Sequence, residues 1–158
     1  MSKQNILKLA ISWLVCYLAG TIGSLFTQPA VESWYQSLIK PGFSPPDWLF
    51  APVWLVLYAL MGIAVYLIWR SGLENKSART AFVIFFIHLL INVGWSIVFF
   101  GFQNIFWGLM TIMILWGFIL FLLLAFRRVS KLAAVLLVPY WLWVTFAGVL
   151  NWFIWLLN

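Results

Sequence analysis

Apolar residues fill this chain in uninterrupted stretches, and the stretches decide its class. Uncharged segments cover 9–31, 48–69, 80–126 and 132–158. A helix that crosses a bilayer needs about 20 predominantly apolar residues. The segment 80–126 is too long for one crossing and must fold back. Gly101-Phe-Gln-Asn104 is its one turn-forming sequence. The pattern predicts five spans near 7–26, 48–69, 80–101, 105–126 and 132–156. That makes an all-α integral membrane bundle, with 1–158 as a single membrane domain. The apolar run after the N-terminal lysine continues to Phe26 and reads as a span, not as a cleaved signal peptide.

Charge tests the count independently. With five spans, the N-terminus and the 70–79 and 127–131 loops share one side, which holds Lys3, Lys8, Arg70, Lys76, Arg79, Arg127, Arg128 and Lys131. Those are eight of the nine basic residues, and Lys40 alone falls on the other side. Cytoplasmic loops are enriched in Lys and Arg, so the N-terminus is expected in the cytoplasm and the C-terminus outside. The net charge of +6 therefore reads as topology, and a nucleic-acid partner is not expected. No transit sequence precedes the first span, and a bacterial cell membrane is the expected location. The outer loop 27–47 carries Pro29, Pro41, Pro45 and Pro46 with Trp34, Tyr35 and Phe43. Prolines stiffen it against sheet and helix alike. Its aromatic residues need something to pack on, which predicts a partly ordered lid over the outer end.

Chemistry is restricted by what is missing. The three acidic residues Glu32, Asp47 and Glu74 all lie outside the spans. Ion-coupled carriers ordinarily use a membrane-embedded carboxylate, so an ion-coupled pump is not expected. One histidine without a carboxylate at helical spacing builds no hydrolytic triad. The single Cys16, in an apolar run, reads as a small buried hydrophobe, and no metal site is expected. His88 has two readings, a haem ligand or a hydrogen-bonded interior histidine.

Polar and aromatic residues inside the spans are more informative. His88, Asn92, Trp95 and Phe99 follow i, i+4, i+7, i+11 spacing and share one helix face. The fifth span offers Tyr140, Trp143 or Val144, Ala147 and Asn151, and the second Trp54, Tyr58 and Met61. In lipid such faces turn toward other helices or a cavity. Asn92, Tyr140 and Asn151 either tie helices together, at about 1 kcal/mol each, or line a pocket. Twelve tryptophans are present. Trp48, Trp69, Trp107, Trp152 and Trp155 suit the membrane interface. Trp54, Trp95, Trp116 and Trp143 lie deeper, as core packing or as walls of a pocket for a flat aromatic or tetrapyrrole-like ligand.

Three blocks carry a resemblance. The first runs through Trp34-Tyr35, Lys40-Pro41, Phe43, Pro45-Pro46, Trp48 and Ala51-Pro-Val-Trp54 to Leu57-Tyr58 and Met61-Gly62. The second is Asn92, Trp95 and Phe99-Phe-Gly101. The third is Pro139-Tyr140, Trp143, Phe146-Ala147 and Leu150-Asn151. In order and spacing they resemble the TspO/MBR family of tryptophan-rich sensory and translocator proteins. The resemblance implies a five-helix bundle that binds porphyrins, sterols and synthetic aromatic ligands near its loop-capped end. By position it implies a pocket of Tyr35, Pro45, Trp54, Tyr58, Asn92, Trp95, Trp107, Trp143, Ala147 and Leu150, with the 27–47 loop as lid. Protoporphyrin IX is the implied ligand, and no resident cofactor is required.

The chain departs from the family where a cholesterol-recognition segment follows Leu150-Asn151. It reads Trp152-Phe-Ile-Trp155, with neither the tyrosine nor the closing basic residue, which puts sterol binding there in doubt. Some relatives pair as dimers through small residues of the third span, but here that stretch is Phe82-Val-Ile-Phe-Phe-Ile87. Ala19-x-x-x-Gly23 and Gly20-x-x-x-Ser24 offer alternative close-contact sites for an expected homodimer. Three functions follow from the resemblance. The first is a receptor or sensor for porphyrins and related hydrophobic aromatic molecules that regulates tetrapyrrole traffic or a stress response. The second is an enzyme that photo-oxidises bound porphyrin through Trp54 and Trp143. The third is a transporter of porphyrin or lipid.

Overall fold

The structure, a computed structural model, describes residues 2–158. Its long helices are α1 (Lys3–Val31), α3 (Phe50–Arg70), α4 (Lys76–Ser96), α5 (Ile105–Arg127) and α6 (Lys131–Leu157), and one short helix, α2 (Trp34–Ser37), lies between the first two. Five helices are long and apolar enough to cross a membrane. Each of four starts is fixed by a polar side chain that accepts from an otherwise unpaired backbone N–H: Ser2 for α1, Asn75 for α4, Asn104 for α5 and Ser130 for α6. The Asn75 cap explains why α4 begins four residues before the expected 80.

The first span departs most from expectation, running to Val31 instead of ending near 26. Pro29 sits inside its last turn, where a missing N–H costs a single hydrogen bond, and Ser33 Oγ donates to the Pro29 carbonyl at 2.6 Å. Residues 27–31 therefore belong to a helix and not to the loop. Helix α4 ends in a wider π-type turn over Ile97–Gly101, with Phe102 N–H reaching back to the Ile97 carbonyl at 2.8 Å. Gln103, at φ 52°, then reverses the chain within the turn expected at 101–104.

The long helices close a ring in the order α1, α3, α6, α5, α4 and back to α1. Close approach depends on glycine at particular points. A Cβ on Gly62 would lie 2.2 Å from Trp13 Cδ1, and one on Gly108 2.6 Å from Phe99 Cδ2. The small residues of α1 are also used inside the chain. A Cβ on Gly20 would meet Tyr58 at 2.6 Å, and one on Gly23 would meet Ser96 Oγ at 3.1 Å. Gly20 and Gly23 therefore let α1 approach α3 and α4 closely. The core, with Phe85, Leu115, Ile119, Phe126 and Tyr140 fully buried, fills the ring toward the basic end. The opposite end is left for a cavity.

Candidate ligand cavity beneath the lid

The lid is folded onto the bundle by its aromatic residues. Tyr35, 2 % exposed, packs edge-on against Phe50 and Phe99 and tilted against Phe100. Trp34 meets Phe99, and Phe43 lies between Phe146 and Phe153 of α6. Polar ties hold the loop between these anchors. Lys40 Nζ donates to the Tyr35 carbonyl at 3.0 Å and sits 4.4 Å above the Tyr35 ring. The Gln36 amide bonds the Asp47 carboxylate. Asn158 pairs with the Ile39 backbone in both directions, accepting from its N–H and donating to its carbonyl, each at 3.0 Å. Burial raises the Tyr35 phenol above its ordinary pKa.

Under this lid, between α1, the start of α3 and the end of α4, lies a cavity of about 410 Å³. Pockets for small organic ligands run from roughly 300 to 1,000 Å³. Trp54, Tyr58 and Trp95 line it, with Phe50 and Phe100 on the lid side. Trp54 packs tilted against Tyr58 at 5.5 Å and meets Tyr140 edge-on at 6.1 Å. Behind the aromatic wall, Tyr58 OH donates to Asn92 Oδ1 at 2.7 Å, and Asn92 Nδ2 donates to Tyr140 OH at 3.0 Å. This buried relay joins α3, α4 and α6. It holds the Tyr58 ring, and through it Trp54, in one orientation.

The residues expected at the site distribute unevenly. Trp54, Tyr58 and Trp95 line the cavity and Asn92 braces it, whereas Tyr35 does not line it and packs behind its wall on Phe50 and Phe100. Trp143 faces a separate apolar groove between α3 and α6, with Trp48, Pro52 and Pro139, and touches the cavity wall through Phe50 at 6.1 Å. Ala147 and Leu150 are buried in the bundle, and Pro45 is half-buried in the lid. Trp107 is 60 % exposed and packs on Phe106, away from the cavity.

His88 is fully buried, and its Nδ1 lies 2.7 Å from the Phe85 carbonyl, which assigns the ring proton to that nitrogen. It is an interior, hydrogen-bonded histidine. Among the described residues no group of His, Cys, Asp and Glu is arranged to hold a metal ion. Asn151 ties helices, donating to the Ile105 carbonyl at 3.1 Å.

The wall that α1 contributes escaped the sequence reading. Tyr17, Thr21, Ser24 and Gln28 line the cavity. They stand at i, i+4, i+7 and i+11, the same spacing that singled out the stripe on α4. Applied to the first span, that rule would have found them.

Comparison with known proteins agrees with this architecture. A family model described as the TspO/MBR family matches residues 12–156. The "Tryptophan-rich protein TspO" of Chlorobaculum tepidum is 46% identical over 158 residues, covering 100% of this chain and 99% of that protein. The "Translocator protein" of Bos taurus is 37% identical over 139 residues, 87% of this chain and 82% of its own length. "Protein CrtK" of Rhodobacter capsulatus is 34% identical over 149 residues, 94% and 91% of the two chains.

Proposed function

The chain belongs to the TspO/MBR family, and from that membership we propose that it is a membrane receptor for porphyrins and related flat hydrophobic molecules. The ligand enters the cavity beneath the lid, and its occupancy regulates tetrapyrrole traffic or a stress response. One observation carries the proposal: a 410 Å³ space whose walls include Trp54, Tyr58 and Trp95, under a lid anchored by aromatic contacts. Flat π-systems bind well where aromatic faces and edges are pre-positioned, and the Tyr58–Asn92–Tyr140 relay supplies that positioning. The receptor sits in a bacterial cell membrane with its basic end in the cytoplasm and the lid outside, as the bias of eight of nine basic residues favours.

The test is a titration of the detergent-purified protein with protoporphyrin IX, followed by tryptophan quenching in the dark and by the porphyrin spectrum under light. The expected result is saturable quenching that Trp54→Phe weakens roughly 2- to 12-fold, from the 0.5–1.5 kcal/mol typical of an aromatic contact. Absence of saturable quenching overturns the proposal. Light-dependent bleaching with a new product band, lost in Trp54→Phe, would replace the receptor by a porphyrin photo-oxidase. Trp54 lines the cavity and Trp143 the neighbouring groove, so Trp54 is the residue such chemistry would need first.

A further inference from the structure

Two walls of the cavity are joined at the lid end by a side chain that does not line it. Gln36, on the short helix α2, donates from its amide nitrogen to the Val31 carbonyl at 3.0 Å and to the Asp47 carboxylate. A glutamine amide nitrogen has two hydrogens, and both are spent here. Val31 is the last residue of α1, and Asp47 opens the turn that leads into α3. Both line the cavity, whereas Gln36 does not. The amide therefore ties one wall to the other from outside the space.

The α1 wall is loosely built where this tie holds it. Pro29 has no N–H for the Leu25 carbonyl, so the last turn lacks one helix bond. The bonds that follow are long. Glu32 N–H reaches the Gln28 carbonyl and Ser33 N–H the Ala30 carbonyl, each at 3.3 Å, against a usual length of about 2.9–3.0 Å. Helices bend most readily at such a proline. Thr27, Gln28, Val31 and Glu32, on either side of Pro29, all line the cavity. The rest of the lid is seated elsewhere, with Phe43 on α6 and the Ile39 backbone paired to Asn158. Releasing Gln36 thus frees the α1 edge of the cavity without unseating the lid.

Resting on the cavity being the ligand site, we infer that Gln36 is a clasp that governs ligand passage. Its amide holds the last turn of α1 to the start of α3. Its release lets that turn swing about Pro29 and opens the cavity at the lid end. A rigid macrocycle cannot thread past bridged walls as a flexible chain could, so each passage requires the clasp to break. Gln36 lies outside the cavity, and its bonds are the same whether or not the space is filled. It therefore sets the rates of entry and exit and not the affinity.

Kinetics of protoporphyrin IX in the dark test this. Association is read by stopped-flow tryptophan quenching, and dissociation by trapping released porphyrin on excess serum albumin. In Gln36→Ala both rates should rise at least about fivefold, the lower bound for two hydrogen bonds lost, while Kd stays within about twofold of the wild type. The opposite perturbation locks the clasp. Gln36→Cys/Asp47→Cys is made in a Cys16→Ala background, which removes the one native thiol, and is bridged with ethanediyl bis-methanethiosulfonate. The bridged protein should exchange porphyrin at least about tenfold more slowly than the same protein after reduction. Unchanged rates in Gln36→Ala, a faster exit matched by an equal loss of affinity, or a bridged protein that exchanges as fast as its reduced form overturns the clasp and leaves the receptor standing. If porphyrin does not saturate the wild type, the receptor itself falls, and the clasp with it.

Discussion

Replacing Asn92 by leucine strikes the one side chain that joins three helices behind the cavity. Asn92 is 2 % exposed, accepts from Tyr58 OH and donates to Tyr140 OH. Leucine matches its size and makes neither bond. Two buried hydroxyls then lose their partner, and Tyr140, fully buried, has no water to turn to. Interhelical hydrogen bonds in membrane proteins average about 0.6 kcal/mol and reach about 1.7. Two of them give a loss of about 1–3 kcal/mol. For a chain of 158 residues that corresponds to a drop in Tm of roughly 2–12 °C. Thermal melting followed by circular dichroism in detergent reads it. The decisive comparison is the triple variant Tyr58→Phe/Asn92→Leu/Tyr140→Phe. Removing every partner of a buried hydrogen bond is far less costly than removing one, so the triple variant should recover much of the lost stability. A triple variant as unstable as Asn92→Leu, or an Asn92→Leu that melts with the wild type, would refute the assignment of the relay as a brace.

Other expectations follow from the same packing. Gly62→Ala forces a Cβ to within 2.2 Å of Trp13 Cδ1 and should lower Tm by several degrees, whereas Gly117→Ala, with nothing within 4 Å, should leave it unchanged or slightly raised. Asn158→Ala removes the side chain that pairs with the Ile39 backbone, so exchange of the Ile39 amide should quicken while amides in α5 keep their protection. Tyr35 has a raised pKa because it is buried. The lid stability it contributes is fully present below the ordinary phenol value of about 10 and is lost as pH rises through the higher value of the closed lid. Porphyrin off-rates should therefore rise above about pH 10, and Tyr35→Phe should remove that rise.

Lipid as solvent made the fold legible. Uncharged stretches of spanning length and one Gly-Phe-Gln-Asn turn fixed five helices, and the turn stands where expected. Helix ends were less legible because they rest on single hydrogen bonds. Asn75 starts α4 early, and Ser33 caps a helix that runs through Pro29. The aromatic wall was legible through helical spacing, since Trp54 and Tyr58 share a face and so do Asn92 and Trp95. Position along a span does not say which neighbour a face meets. Trp143 turned to a groove of its own and Trp107 to the outside for that reason. The α1 wall was hidden because Thr21, Ser24 and Thr27 look like ordinary hydroxyls of a membrane helix, each bonded to its own backbone.

The central claim is that ligand occupies the space between α1, α3 and α4 under the lid. Filling that space tests it most directly. Ser24→Trp places an indole in the cavity, and Val56→Trp places one in the groove shared by α3 and α6. Equilibrium dialysis of protoporphyrin IX dimethyl ester against both variants, each first shown to melt with the wild type, should find binding abolished by Ser24→Trp and retained by Val56→Trp. Binding that survives Ser24→Trp and disappears in Val56→Trp would put the ligand in the groove beside Trp143 and contradict the account.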